Sequence, residues 1–167
     1  MKSIVRQEDV SIRNELRPGD IGMIVQLHGT LYQREYGYGV AFESYVAAGL
    51  SEFFEMYEPS RSRIWICEHN NNIVGSIVLV DRGTYAQLRY FFLLPEYRGI
   101  GLGTKLMQLF VEFLKKCKYR RCYLWTTDEL VAAAHLYQKF GFTITEEKNS
   151  STFGKPVTEQ KYELQVI

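Results

Sequence analysis

The chain has 167 residues, of which 46% are hydrophobic and 23% charged, a globular composition in a chain long enough to bury a core without metal or disulfide staples. Its 20 basic and 19 acidic residues leave a formal net charge of +1, which gives little counterion-release drive for nucleic acid. No apolar run approaches the ~18 residues of a membrane span, so no membrane partner is expected.

Cys67, Cys117 and Cys122 are odd in number and widely spaced. With no secretory leader ahead of them, they fit reduced thiols in a cytoplasmic protein. No His lies at zinc-ligand spacing from Cys117 and Cys122, so no metal is expected. The densest basic cluster, Lys115, Lys116, Lys118, Arg120 and Arg121, ends a helix-like stretch, where cations favour the C-terminal dipole.

Neither a repeat nor a low-complexity linker interrupts the chain, so residues 1–167 read as one domain. Ser11 to Leu16 alternates weakly as a first strand. Arg17-Pro18-Gly19-Asp20 breaks it, and Asp20 is placed to cap a helix starting near Ile21. Ile24, Leu27 and Leu31 recur at helical spacing until Gly37 and Gly39. A second helix fits Ala41 to Tyr57, with Phe42, Tyr45, Val46, Leu50, Phe53 and Phe54 on a broad apolar face and Pro59 beyond it. Phe53, Phe54 and Tyr57 offer this helix for the core or for a homodimer surface.

Arg63 to Glu68 is β-branched and aromatic, Asn70-Asn71-Asn72 signals a turn, and Ile73 to Val80 returns as a hairpin partner. After a turn at Asp81-Arg82-Gly83, Ala86 to Leu94 completes an antiparallel meander. Thr104 to Lys118 is an amphipathic helix. Arg121 to Thr126 is a strand, Asp128 to Phe140 a helix stopped by Gly141, and Phe142 to Lys148 and Thr158 to Val166 are two closing strands. The fold class is mixed α/β.

The chemistry concentrates in Pro95-Glu96-Tyr97-Arg98-Gly99-Ile100-Gly101-Leu102-Gly103-Thr104. Glycines let the backbone approach a ligand, and a helix N-terminus offers free N–H groups and a positive dipole end, an arrangement suited to pyrophosphate. Thr104 precedes Lys105, the reverse of a Walker loop, and the G-x-G-x-G spacing departs from the dinucleotide fingerprint.

Arg98-Gly99-Ile100-Gly101-Leu102-Gly103 resembles the R/Q-x-x-G-x-G/A loop of the Gcn5-related N-acetyltransferases. Ala133-Ala134-His135-Leu136-Tyr137-Gln138-Lys139-Phe140-Gly141-Phe142 is similar to the family's A-x-x-L-Y-x-K-x-G-F helix. The element order agrees from about Ile12 onward. Arg17 to Gly22, His28-Gly29 and Leu31 to Gly37 also resemble acetyltransferase domains fused behind winged-helix regulators of the multiple-antibiotic-resistance (MarR) type. Only about 10 residues precede the first strand, so no such DNA-binding domain is expected here.

The resemblance implies a mixed, mostly antiparallel sheet of about six or seven strands with helices on both faces and a splayed parallel pair, Ala86–Leu94 and Arg121–Thr126. It implies acetyl-CoA as co-substrate and an amine, on a small molecule or a peptide, as acceptor. The pantetheine arm would pair with backbone groups of Phe92, Leu93 and Leu94, and the pyrophosphate with those of Arg98, Gly99, Ile100, Gly101, Leu102, Gly103 and Thr104. Tyr137 matches the family's proton donor, and Ala133 belongs to the same helix motif. Many relatives carry a Glu as base on the strand before the loop, where Arg89 and Tyr90 stand here; Glu35 is the candidate instead, with His28 the alternative. Leu130 replaces the Asn that commonly contacts the arm, leaving Thr127 or Asp128 to substitute. Tyr32, Tyr36, Arg89, Trp125 and His28 are candidates for the acceptor pocket. A non-catalytic acyl-CoA sensor with the same fold is the alternative function.

Overall fold

In the computed structural model, which describes residues 4–167, strand β1 (Ser11–Arg13) leads into helices α1 (Asp20–Tyr36) and α2 (Val40–Glu55). The meander β2 (Arg63–His69), β3 (Asn72–Asp81) and β4 (Ala86–Leu93) follows. After it come α3 (Leu102–Lys116), β5 (Arg121–Thr127), α4 (Val131–Lys139), β6 (Thr143–Ser150) and β7 (Val157–Gln165). The seven strands form one sheet in the order β1-β2-β3-β4-β5-β7-β6. Only β4 and β5 run parallel.

The middles of β2 and β3, residues 64–67 and 77–80, are continuously apolar because both faces of the sheet are covered. Trp65, Cys67, Ile77 and Leu79 pack with Leu106, Phe110 and Leu114 of α3. Ile64, Ile66, Val78 and Val80 face the other way, onto Ile24 and Leu31 of α1 and Phe42, Val46 and Leu50 of α2. Strand alternation thus sends each run into two separate cores. No helix among the described residues is long and apolar enough to cross a membrane.

Four expectations change. Asp20 does not cap α1: Gly19, in the left-handed region, precedes the helix, and the Asp20 carboxylate accepts from both Arg13 terminal nitrogens at 2.7 and 2.8 Å and from Arg17 N–H at 2.7 Å. The buried carboxylate is satisfied better by the guanidinium, and the strand correspondingly ends at Arg13. On α2 the face toward the sheet is Phe42, Val46, Gly49, Leu50 and Phe53, while Tyr45 and Phe54 are 46% and 56% exposed. The helical step rotates those two rings off the stripe. Phe53 is in the core with Tyr57 against it, their centroids 5.2 Å apart, so of the proposed dimer surface Phe54 alone stands well clear. Finally, α4 starts at Val131 and not at Asp128, because Asp128 Oδ1 accepts from Thr158 N–H and Leu130 N–H turns back to Thr127 O.

The feature that positions the site lies between β4 and β5. Their parallel ladder consists of Ala86 with Cys122 and Gln87 with Tyr123, after which the strands part. Beyond that point the register of β4 against β3 slips between Ser76 and Val78, and Tyr90 adopts a left-handed φ of 53°. This is a bulge, which bends and twists the strand that carries it. A tyrosine at positive φ needs outside support. The buried Ser76 hydroxyl supplies it by donating to Tyr90 O at 2.6 Å. Replacement Ser76→Ala should therefore cost about 1–3 kcal/mol of stability, read by urea unfolding. A loss under about 0.5 kcal/mol would mean that the β3–β4 ladder alone holds the bulge.

Candidate active site

Two cavities meet where β4 and β5 part. The first, about 350 Å³, runs between the end of β4, the glycine loop and α4, and is lined by Phe91, Phe92, Leu93, Arg98, Gly99, Gly101, Gly103, Thr104, Ala133 and Leu136. The second, about 120 Å³, lies under α1 and α2 against β4 and β5, and includes His28, Tyr32, Arg89, Trp125, Thr127 and Tyr137. Tyr32, Phe91 and Leu130 line both, so the two cavities adjoin at these three residues.

The first cavity has the donor set of an anion site. Gly99 and Gly101 take φ values of 75° and 84°, which turns the chain sharply into α3. Lys105 N–H is the first to bond within the helix, to Gly101 O, so the N–H groups just ahead of it are free for a ligand. Along β4, Leu94 N–H is bonded to Val74 O. By strand alternation Phe92 also points to β3, while Phe91 and Leu93 direct their backbone groups into the gap. Of Phe92, Leu93 and Leu94, only Leu93 therefore presents its backbone to the cleft; Phe91, missed in the sequence, takes the other place. The side chain of Leu102 is 1% exposed and that of Ile100 packs on the same core, so these two can contribute only backbone.

Arg98 reaches across this cleft. Its terminal nitrogens bind the two Glu35 oxygens at 2.6 and 3.0 Å, and its Nε donates to Leu93 O at 3.0 Å. Glu35 thus sits at the rim of the first cavity, beside Tyr36 and outside the second. Tyr36 also lines the first cavity and not the second, with its ring 5.4 Å from that of Tyr32.

His28, Tyr32, Arg89 and Trp125 do come together in the second cavity. Its walls are aromatic: Tyr32 lies 4.7 Å from Phe42, and Tyr38 5.5 Å from Phe153, centroid to centroid. Thr127 is held by Tyr38, the two hydroxyls 2.7 Å apart, and Asp128 Oδ1 accepts from Thr158 N–H at 3.2 Å. The neighbouring Thr126 Oγ1 is buried without a partner and faces this same cavity. Tyr38, Phe153 and Glu159 carried no signal in the sequence, because each comes from a segment distant from the motifs.

Tyr137 projects from α4 with its ring against Phe91, Phe142 and Tyr162. Burial pushes its phenol well above the usual 10, so it keeps its proton at neutral pH. His28 is the opposite case. Its Nδ1 lies 2.8 Å from Ile24 O, which can only accept, so Nδ1 carries the hydrogen and Nε2 the lone pair. Burial lowers its pKa from 6.5 to about 4, leaving the ring neutral. Among the described residues no group of three or more His, Cys, Asp or Glu is placed to hold a metal.

The sequence model of the acetyltransferase (GNAT) family matches residues 29–142. An uncharacterised N-acetyltransferase of Escherichia coli, YjgM, is 31% identical over 114 residues, 65% of this chain and 68% of that protein. Among solved structures, an acetyltransferase from Streptococcus agalactiae superposes with a TM-score of 0.73 at 23% identity, covering 95% of this chain and 99% of that one. A GNAT family acetyltransferase from Elizabethkingia anophelis with acetyl-CoA bound superposes with a TM-score of 0.65 at 14% identity, over 96% and 100% of the two chains. These two likenesses are of fold.

The state of His28 can be tested through stability. Between pH 6.5 and about 4 the unfolded chain binds a proton that the folded His28 does not. Stability should therefore fall as pH drops through that window, with no contribution to the slope above it. The total is on the order of 3 kcal/mol. Urea unfolding of the wild type and His28→Gln at pH 7 and 4.5 reads this directly: the wild type should lose more stability than the variant. Parallel losses would place a protonated or exposed ring at position 28.

Proposed function

The chain belongs to the acetyltransferase (GNAT) family, and from that membership we propose that it transfers an acetyl group from acetyl-CoA to an amine, on a small molecule or a peptide, in the cytoplasm. The observation that carries this reading is the junction of the two cavities at Tyr32, Phe91 and Leu130, with Tyr137 on the acceptor side. The narrower likeness to domains fused with MarR-type regulators rests on Arg17 to Gly22, His28-Gly29 and Leu31 to Gly37 and adds no step to it.

The first cavity suits the co-substrate by its chemistry: free helix N-terminal donors for a pyrophosphate, and an open strand edge for a chain of amides. When bound, acetyl-CoA supplies a thioester whose carbonyl carbon an amine can attack and whose sulfur departs. Phe91 and Leu93 would orient the arm through their backbone groups, and the loop from Arg98 to Thr104 would hold the phosphates. Leu136, Ala133 and Leu130 give the same cavity an apolar wall.

Two proton movements fall to side chains. Tyr137, held protonated by burial, donates to the departing sulfur. For the proton lost by the amine, His28 is the candidate by position, since it lines the acceptor cavity and its Nε2 carries the lone pair. Glu35 is tied to Arg98 at the other cavity, where it positions the loop.

Tyr137→Phe keeps the packing and removes the hydroxyl. We expect thiol release from acetyl-CoA, in the presence of an accepted amine, to slow by about 10²–10⁴-fold while acetyl-CoA affinity stays within about threefold. Wild-type turnover in the phenylalanine variant would remove Tyr137 from the mechanism. Tight acetyl-CoA binding without turnover on any amine would favour the sensor.

A further inference from the structure

The acceptor cavity carries two charged side chains, and neither has a partner. Arg89 on β4 and Glu159 on β7 are the charged residues among those lining it. Among the described residues, neither side chain forms an ion pair or a hydrogen bond. Elsewhere Arg13, Arg61, Arg82 and Arg98 are each tied to a carboxylate. The Arg89 guanidinium instead lies against two rings, 4.7 Å from the Tyr90 centroid and 5.2 Å from that of Tyr45.

α2 is shaped to receive that head group. A Cβ on Gly49 would stand 2.9 Å from both terminal nitrogens of Arg89 and 2.0 Å from the Tyr90 hydroxyl. The glycine therefore leaves the space that Arg89 and Tyr90 fill. The Tyr90 hydroxyl, beside the guanidinium, is buried and lacks a partner too. Holding a half-buried guanidinium against aromatic faces leaves its N–H edge unsatisfied, and a carboxylate matches that planar edge with two charge-assisted bonds.

We propose that the acceptor is an amine that also bears a carboxylate, an amino-acid-like zwitterion, and that Arg89 selects it. This rests on the acetyltransferase reading of the same cavity. Glu159 stands on a strand two places from β4 in the sheet, about 10 Å or more away between backbones. It supplies the opposite charge, facing the ammonium before the amine is deprotonated for attack. One cation and one carboxylate suit a molecule of zero net charge. A polyamine would set a second positive charge near Arg89 and is disfavoured. The aromatic walls formed by Tyr32, Tyr38, Phe42 and Trp125 take the apolar part of the acceptor.

Matched pairs that differ only by the carboxylate test this: alanine and ethylamine, phenylalanine and phenethylamine, tryptophan and tryptamine, with spermidine as the polycation. In at least one pair the amino acid should be acetylated about 10- to 100-fold better in kcat/KM, and Arg89→Ala should bring that ratio near one, with Arg89→Lys between. Equal or better use of the decarboxylated amines by the wild type, or preference for spermidine, would overturn the proposal. Calorimetry with the products separates this failure from failure of the acetyltransferase reading. N-acetylphenylalanine should bind the wild type more tightly than N-acetylphenethylamine, and Arg89→Ala should lose the difference. That result without any turnover would keep the carboxylate site and remove the enzyme, whereas equal binding of the two products would remove the site. Because both comparisons read on the wild type alone, a variant that misfolds does not decide the matter.

Discussion

The parting of β4 from β5 is the constraint on which the rest depends. A parallel pair that continued its ladder past Gln87 and Tyr123 would satisfy its own backbone and close the sheet. The bulge at Tyr90 bends β4 away, which leaves backbone groups of Phe91 and Leu93 without a strand neighbour. Arg98 Nε meets the Leu93 carbonyl, and the backbone left unpaired in the half-buried gap is costly unless something binds there, so the same feature that weakens the sheet prepares a ligand site. Both cavities exist because of it, one on each side of Phe91.

Ion pairs divide between holding the frame and leaving chemistry open. Arg13 with Asp20 and Glu68 ties β1, β2 and the start of α1 together at side-chain exposures of 14%, 8% and 22%, where loss of one partner would strand a charge. Arg98 and Glu35 are more open, so their two-pronged contact contributes about 1 kcal/mol at most. Its importance is geometric, since it joins the end of α1 to the glycine loop across the mouth of the cleft. Arg89 has no such tie. What sets it apart is its place: it is the cation that lines the acceptor cavity.

What the sequence made legible was local. The glycine loop and the helix bearing Tyr137 are continuous motifs, and the family resemblance that they carry implied the mixed sheet and its splayed pair. The seven strands and four helices follow from hydrophobic period and turn residues, with ends misplaced where a side chain found a better partner, as at Asp20 and Asp128. Of the three consecutive arm-facing positions expected, Leu93 alone remains, because strand alternation turns Phe92 and Leu94 toward β3, and nothing in Arg89-Tyr90-Phe91 announces the bulge. Glu35 drew attention through its place in the helix pair, yet its partner, Arg98, is 63 residues away and only packing brings them together. The acceptor cavity was only partly legible for the same reason: Tyr38, Phe153 and Glu159 meet there from three separate segments.

The central claim is that acetyl-CoA occupies the gap between β4 and α4. Titration calorimetry of the wild type and Ala133→Phe with acetyl-CoA, using NAD as a comparison ligand, addresses it most directly. Ala133 lines the gap and not the acceptor cavity, so a phenyl ring there fills one without closing the other. Acetyl-CoA should bind the wild type saturably and NAD not at all, and the variant should lose acetyl-CoA binding with its fold retained by circular dichroism. Wild-type protein silent toward millimolar acetyl-CoA, or a folded variant that binds it as well as the wild type, would contradict it.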